Sequence, residues 1–179
     1  STTLNSDLES LKNTLIQVIT DCHPALPNEI TEEQYESCRS FLSNFDGKKY
    51  TFNYDLLLYW VYMHFIEDVQ KRLEFDDGFR YGDIETDLSV FWEIGRERQQ
   101  SIYYLHGAMH IFSDGADIEK LSYNNVGVRL SEQVRNAVGS NKFPVFISEG
   151  TTEHKLARIK KNAYLARAFS SLKSIGGNL

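Results

Sequence analysis

The chain has 179 residues, and no apolar run among them approaches the roughly 18 that a membrane-spanning helix needs. Cysteine and proline are scarce, at two and three residues. The first absence excludes a membrane-spanning helix, and the polar start STTLNSDLES has neither the basic end nor the apolar centre of a signal peptide. A soluble chain without membrane contact is therefore expected. Cys22 and Cys38 lack metal-ligand spacing, and a pair in a domain this large is more often two reduced thiols than a disulfide staple. Two reduced, partly buried thiols in a domain this large fit a cytoplasmic location. The sequence also has no internal repeat and no low-complexity segment.

What is present fits one globular domain: 41% of residues are hydrophobic and 13% aromatic, enough for a core. Charge is uneven. Residues 151–179 hold six Lys/Arg against Glu153 alone, so this tail carries +5 and leaves −11 on the rest of a chain whose formal charge is −6. General nucleic-acid affinity is not expected, while the basic tail allows a local anion contact.

Leu4, Leu8, Leu11, Leu15 and Val18 recur at steps of four and three, the stripe of an amphipathic helix. HPALPNEI breaks it. Thr31 and Gln34 form a T-x-x-Q capping box that opens a second helix, stopped by DGKK. KYTFN reads as a strand and DLLLYWVYMHFIEDVQKRL as a deeply buried helix opening at Asp55. EFDDGFRYGD reads as a loop, and 85–98 fits no single state. SIYYL, AMHIF and FPVFIS read as strands, 129–138 as a short helix, and EGTTEHKLARIKKNAYLARAFSSLKSI as helix with Gly176 and Gly177 as its stop. Near-continuous apolar strands alternating with helices predict an α/β fold with a mainly parallel sheet flanked by helices. The division expected is a helical segment over 1–46 followed by an α/β portion over 47–179.

Three predicted strands stop on polar or glycine residues: Asn53-Tyr54-Asp55, His106-Gly107, and Ser148-Glu149-Gly150-Thr151. In open parallel sheets ligands bind at that edge, and two of the three stretches also open a helix, whose free N–H groups suit phosphate. Asp55 is a sufficient helix cap without any ligand. Asn53 is less easily explained, because asparagine is depleted in strands and its amide needs partners. His106 has the chemistry of a general base or of a sugar-hydroxyl acceptor, and Gly107 allows a close backbone approach or a positive φ. His106 and His110 lie at i and i+4, but Gly107 and the strand-like AMHIF argue against a shared helical face, and no third ligand has metal spacing. Ser148 lacks the Gly-x-Ser-x-Gly elbow. Glu85, Asp87, Glu93 and Glu97 could include a carboxylate pair, and the Tyr/Trp cluster over 54–62 reads as core.

YTFNYDLLLYW, followed some fifty residues later by YYLHGAMHIF, resembles the bacterial sirtuin-like proteins, whose signature is Thr-x-Asn-Tyr-Asp and then Leu-His-Gly. Asp77-Gly78-Phe79 and the F-x-S-E-G-T segment at 146–151 extend the likeness to about residues 20–179. The resemblance implies a Rossmann-like fold that binds NAD, as substrate or ligand, at the strand ends. Asn53 is then placed near the nicotinamide ribose and His106 near the ribose hydroxyls as the base. Thr51, Asp55, Gly107, Ser148 and Glu149 become nucleotide-binding positions, with no metal. In sirtuin-like enzymes of bacterial antiviral defence such a site cleaves the nicotinamide–ribose bond. Lysine-deacylating relatives carry a zinc module with four cysteines, which two cysteines cannot build.

The family's first strand with its Gly-x-Gly-x-Ser loop, and its last strand, have no counterpart here. The chain is therefore expected to be an internal piece or a shortened relative. Its open sheet edges are expected to meet a second copy or a partner chain. Two functions follow as expectations: a nicotinamide-releasing NAD glycohydrolase, or a non-catalytic sirtuin-like module acting through protein contact.

Overall fold

A computed structural model describes residues 2–81, 90–93, 95, 99–113, 117–121, 128–140, 142–147 and 150–175. The chain opens with helix α1 (Thr2–Cys22) and helix α2 (Glu32–Leu42). The predicted capping box is formed: Thr31 Oγ1 accepts from the Gln34 N–H at 3.2 Å, and Gln34 Oε1 accepts from the Thr31 N–H at 2.9 Å. Such a box satisfies two otherwise orphaned donors and stabilises a helix start by about 1 kcal/mol. On α1 two residues of the predicted stripe do not face the core. Leu11 and Val18 stay half-exposed, while Ile16 and Ile19 pack inward, because the second apolar row is the one that meets the buried cluster of Tyr59, Trp60 and Val134.

Strand β1 (Lys49–Thr51) leads into helix α3 (Leu57–His64), which buries Tyr59, Trp60, Val61 and Tyr62. This helix is shorter than its apolar run suggests. Asp68 Oδ1 accepts from the N–H groups of Gln70 and Lys71, and such local side-chain bonds offer the backbone turns in place of helix. Strand β4 (Ile102–Tyr104) pairs parallel with β1, Tyr50 opposite Tyr103, and the two rings stack at 5.1 Å.

The larger sheet comprises β2 (Phe79–Tyr81), β3 (Val90–Trp92), β5 (Gly107–Ser113), β6 (Ile118–Lys120) and β7 (Phe143–Phe146), in the order β2-β3-β6-β5-β7. Its pairings are antiparallel. The chain is thus mixed α/β, with a parallel pair beside an antiparallel sheet, where the sequence predicts a mainly parallel one. The connections explain the difference: β5 reaches β6 through a few residues, and a link that short can join only antiparallel neighbours. β2 begins inside the stretch read as a loop, and β3 falls in the stretch of unresolved state.

Helix α4 (Leu130–Gly139) precedes β7, and the predicted C-terminal helix is two, α5 (Thr152–Lys161) and α6 (Ala163–Lys173). Asn162 divides them by leaving the helical region and capping α6, its Oδ1 accepting from the Leu165 N–H at 3.0 Å. The Tyr164 hydroxyl accepts from the Tyr104 N–H at 3.0 Å and ties α6 to the parallel pair. Gly176 and Gly177 lie outside the described residues. Cys22 and Cys38 are free and exposed, not partly buried as expected, because both fall on outward helix positions. No described helix is long and apolar enough to cross a membrane.

Gly107 has φ +82°, and a Cβ there would lie 1.7 Å from the Val145 carbonyl oxygen on β7. Side chains rarely adopt that φ, and backbone cannot yield 1.7 Å without breaking the β5–β7 pairing. Gly107→Ala is expected to lower the unfolding free energy by about 3 kcal/mol or more in urea titration; a loss under about 1 kcal/mol would contradict the packing described.

Candidate functional site

Backbone bonds draw the three strand ends together. The Leu105 N–H donates to Thr51 O at 2.9 Å, the Met109 N–H to Tyr54 O at 2.8 Å, and the Ile147 N–H to His106 O at 3.0 Å. The Tyr54 hydroxyl closes the group by donating to Ile147 O at 2.9 Å. Segment 51–54 therefore runs along 105–109, and the end of β7 lies against His106. Ser148 and Glu149, two of the predicted nucleotide-binding residues, lie outside the described residues. Just beyond them α5 begins, its Thr151 hydroxyl accepting from the His154 N–H at 3.4 Å.

Thr51 Oγ1 accepts from the Asn53 N–H at 3.0 Å, which turns the chain as it leaves β1. Asp55 Oδ1 accepts from the Leu57 N–H at 3.0 Å, a local turn bond one residue ahead of the position from which α3 opens; the N-cap itself is Leu56, which has no side-chain cap, so the expected cap at Asp55 is a turn just before the helix. Asn53 is exposed, and its carboxamide has no hydrogen-bond partner among the described residues. His106 is partly buried, edge-on to Phe52 at 4.9 Å and roughly parallel to Tyr54 at 6.4 Å. Burial first, and then the Lys155 ammonium, push its imidazole below the ordinary value. A neutral imidazole with a free ring nitrogen is a proton acceptor. Gly107 makes its close approach to β7 backbone, so its demand for glycine is met within the fold.

A cleft of about 470 Å³ opens beside this junction, walled by Val18, His23, Phe52, Asn53, Asp55 and Leu57. The size suits a small ligand. Asn53 and Asp55 share it; His106 is outside its wall, and Phe52 both lines the cleft and meets the His106 ring.

His23 is the residue that sequence reasoning misses. It arrives from the end of α1, where HP reads as a helix stop, and nothing local links it to a segment thirty residues on. Its Nε2 accepts from the Leu56 N–H at 3.0 Å, and its Nδ1 lies 2.7 Å from Pro24 O. An acceptor Nε2 leaves the proton on Nδ1, which therefore donates to Pro24 O; the bonded ring is neutral. Its edge meets Trp60 at 4.7 Å. Burial lowers its pKa, opposed by the Pro24 bond and the Asp55 charge.

His110 stands apart from His106. It is fully buried in β5, parallel to Tyr59 at 5.2 Å, and neither ring nitrogen has a hydrogen-bond partner among the described residues. Burial, then Lys120, holds its pKa well below the ordinary value. Of the four carboxylates singled out, Glu93 is described and Glu85, Asp87 and Glu97 are not. Among the described residues no group of three or more His, Cys, Asp or Glu side chains could hold a metal ion.

A family model described as "Domain of unknown function (DUF4917)" matches residues 2–179. No curated protein and no solved structure matches the chain.

Three histidines held below the ordinary value of 6.5 make stability depend on acid. The folded state binds fewer protons than the unfolded state, so the contribution is complete above about pH 6.5 and falls as pH drops through the lowered folded values. Urea midpoints are expected to decline between pH 6.5 and 5, above the carboxylate range. His23→Asn is expected to cost about 1–2 kcal/mol at pH 7.5, where the Leu56 N–H loses its acceptor, and to flatten part of that decline. A midpoint constant from pH 7.5 to 5 would contradict the assignment.

Proposed function

The chain belongs to this DUF4917 family of unknown function, and from its site we propose that it is a sirtuin-like nicotinamide-nucleotide-binding protein that cleaves the nicotinamide–ribose bond of NAD. The observation that carries this reading is the convergence of Asn53, His106 and the start of α5 where the parallel β1–β4 pair ends. In this reading the pair is the centre of a Rossmann-like sheet, and ligands of such sheets sit outside the carboxyl ends of the strands. Asn53 supplies a free carboxamide to a ribose hydroxyl. Asp55 fixes the turn that presents it. His106, neutral and proton-accepting, takes the proton of the attacking water or of a ribose hydroxyl as nicotinamide departs. The start of α5 offers N–H groups to phosphate. In this reading a second copy or a partner chain covers the open edge of the pair and adds phosphate contacts.

One observation favours a second reading, a non-catalytic module acting through protein contact: His106 stands outside the Asn53 cleft, whose rim exposes Val18, Phe52 and Leu57. Calorimetry and a nicotinamide-release assay separate the two. NAD is expected to bind, Asn53→Ala to weaken binding by about tenfold, the loss of roughly one hydrogen bond, and His106→Ala to slow release by about 100-fold. Neither binding nor release, with both variants indistinguishable from the parent, would remove the enzymatic reading and leave the module.

A further inference from the structure

Helix α1 carries its apolar residues in a strict heptad. Leu4, Leu8, Leu11, Leu15 and Val18 stand at alternating steps of four and three, and Cys22 adds a sixth position at the next step. A seven-residue repeat is the period of a seam against a second helix in a left-handed coil; 4, 11 and 18 are then its d positions, and 8, 15 and 22 its a positions. The chain's own core leaves this seam open. Leu11 is 52% exposed and Val18 55%, Cys22 is exposed, and the described apolar residues of α1 that pack inward are Ile16 and Ile19, which lie off the seam. The side turned away from both is polar. Ser10, Asn13, Gln17 and Asp21 are exposed there, with the Gln17 amide donating to Asp21 Oδ1 at 2.6 Å.

Charge names the occupant of the seam. In this register Asp7 and Asp21 fall at g positions and Lys12 at an e position. In a parallel pair of identical helices a g residue meets the e residue five positions on in the second copy, so Asp7 of each copy meets Lys12 of the other. In the antiparallel pair that keeps the same six layers, Asp7 faces Asp21 and Lys12 faces Lys12, like charges in both cases. The parallel arrangement is the complementary one.

We infer that α1 is a homodimerisation helix, joining two copies of this chain as a parallel, in-register coiled coil through Leu4, Leu8, Leu11, Leu15 and Val18. At the C-terminal end of the seam the two Cys22 side chains meet across the axis. Val18 and Cys22 also line the Asn53 cleft, so the second copy stands at the rim of that cleft. The inference rests on α1 alone and holds whether or not the cleft takes a nucleotide. A coil this short buries less than a standard protein interface, so a dissociation constant on the order of 10 µM is expected.

The test is sedimentation velocity of the full chain, with reductant and without nucleotide, at up to about 500 µM, well above that constant. A dimer is expected. Leu11→Asp, at a half-exposed position and checked for folding by circular dichroism, is expected to weaken it at least tenfold. Asp7→Lys or Lys12→Asp alone is expected to weaken it severalfold, and the two together, which exchange the charges, to restore the parent's association. In a Cys38→Ser background, oxidation with diamide is expected to link the dimer through Cys22. The antiparallel arrangement would hold the two thiols about 27 Å apart, far beyond the reach of a disulfide. A monomer at every concentration, a dimer indifferent to Leu11→Asp, no rescue by the charge exchange, or a dimer that Cys22 does not link would overturn the inference.

Discussion

The close approach of β7 to Gly107 is the constraint on which the arrangement of the site depends. Gly107 opens β5 at positive φ just after the end of β4, and the Val145 carbonyl occupies the space a side chain would need. Because β7 comes that near, the Ile147 N–H reaches His106 O and the Tyr54 hydroxyl reaches Ile147 O. A parallel pair and an antiparallel sheet are thereby joined at one corner. Any residue but glycine would move β7 outward, and with it the start of α5.

A buried charge pair braces the other side of the same sheet. Asp77, just before β2, meets Lys120 at the end of β6, and the Lys120 ammonium lies over the Tyr59 ring of α3 at 4.3 Å. Both side chains are nearly inaccessible, so losing either partner would strand a charge in the interior. The pair and its aromatic neighbour tie the antiparallel sheet to α3, which follows the turn made by Asp55. His110, its ring parallel to that of Tyr59, is kept neutral there, by burial first and then by the Lys120 charge. The exposed end of the site and the buried polar cluster are thus two ends of one packed layer.

Much of this was legible in residue order, for definite reasons. The Thr31–Gln34 capping box, the strands that end at Thr51 and Tyr104, the apolar face of α3 and the glycine demand at 107 all depend on local chemistry, and sequence displays local chemistry directly. The three-residue strands β2, β3 and β6 are too short for any period to show; pairing with neighbours defines them. The mainly parallel sheet was expected from apolar strands, but connection length decides orientation, and the link from β5 to β6 is too short for a crossover. The stripe on α1 was visible while its facing was not, since tertiary contact chose Ile16 and Ile19 over Leu11 and Val18. His23 was invisible because its partner, the Leu56 N–H, is remote in sequence.

The central claim is that the corner made by segment 51–55, His106 and the start of α5 is a ligand site and more than a structural joint. A crystal structure of the chain grown with a nicotinamide nucleotide addresses it most directly. The account predicts nucleotide density with a ribose hydroxyl within hydrogen-bond distance of the Asn53 carboxamide and of a His106 ring nitrogen, the exposed Phe52 ring having moved aside. Nucleotide bound elsewhere, with Asn53 and His106 facing only solvent and Phe52 unmoved, would contradict it.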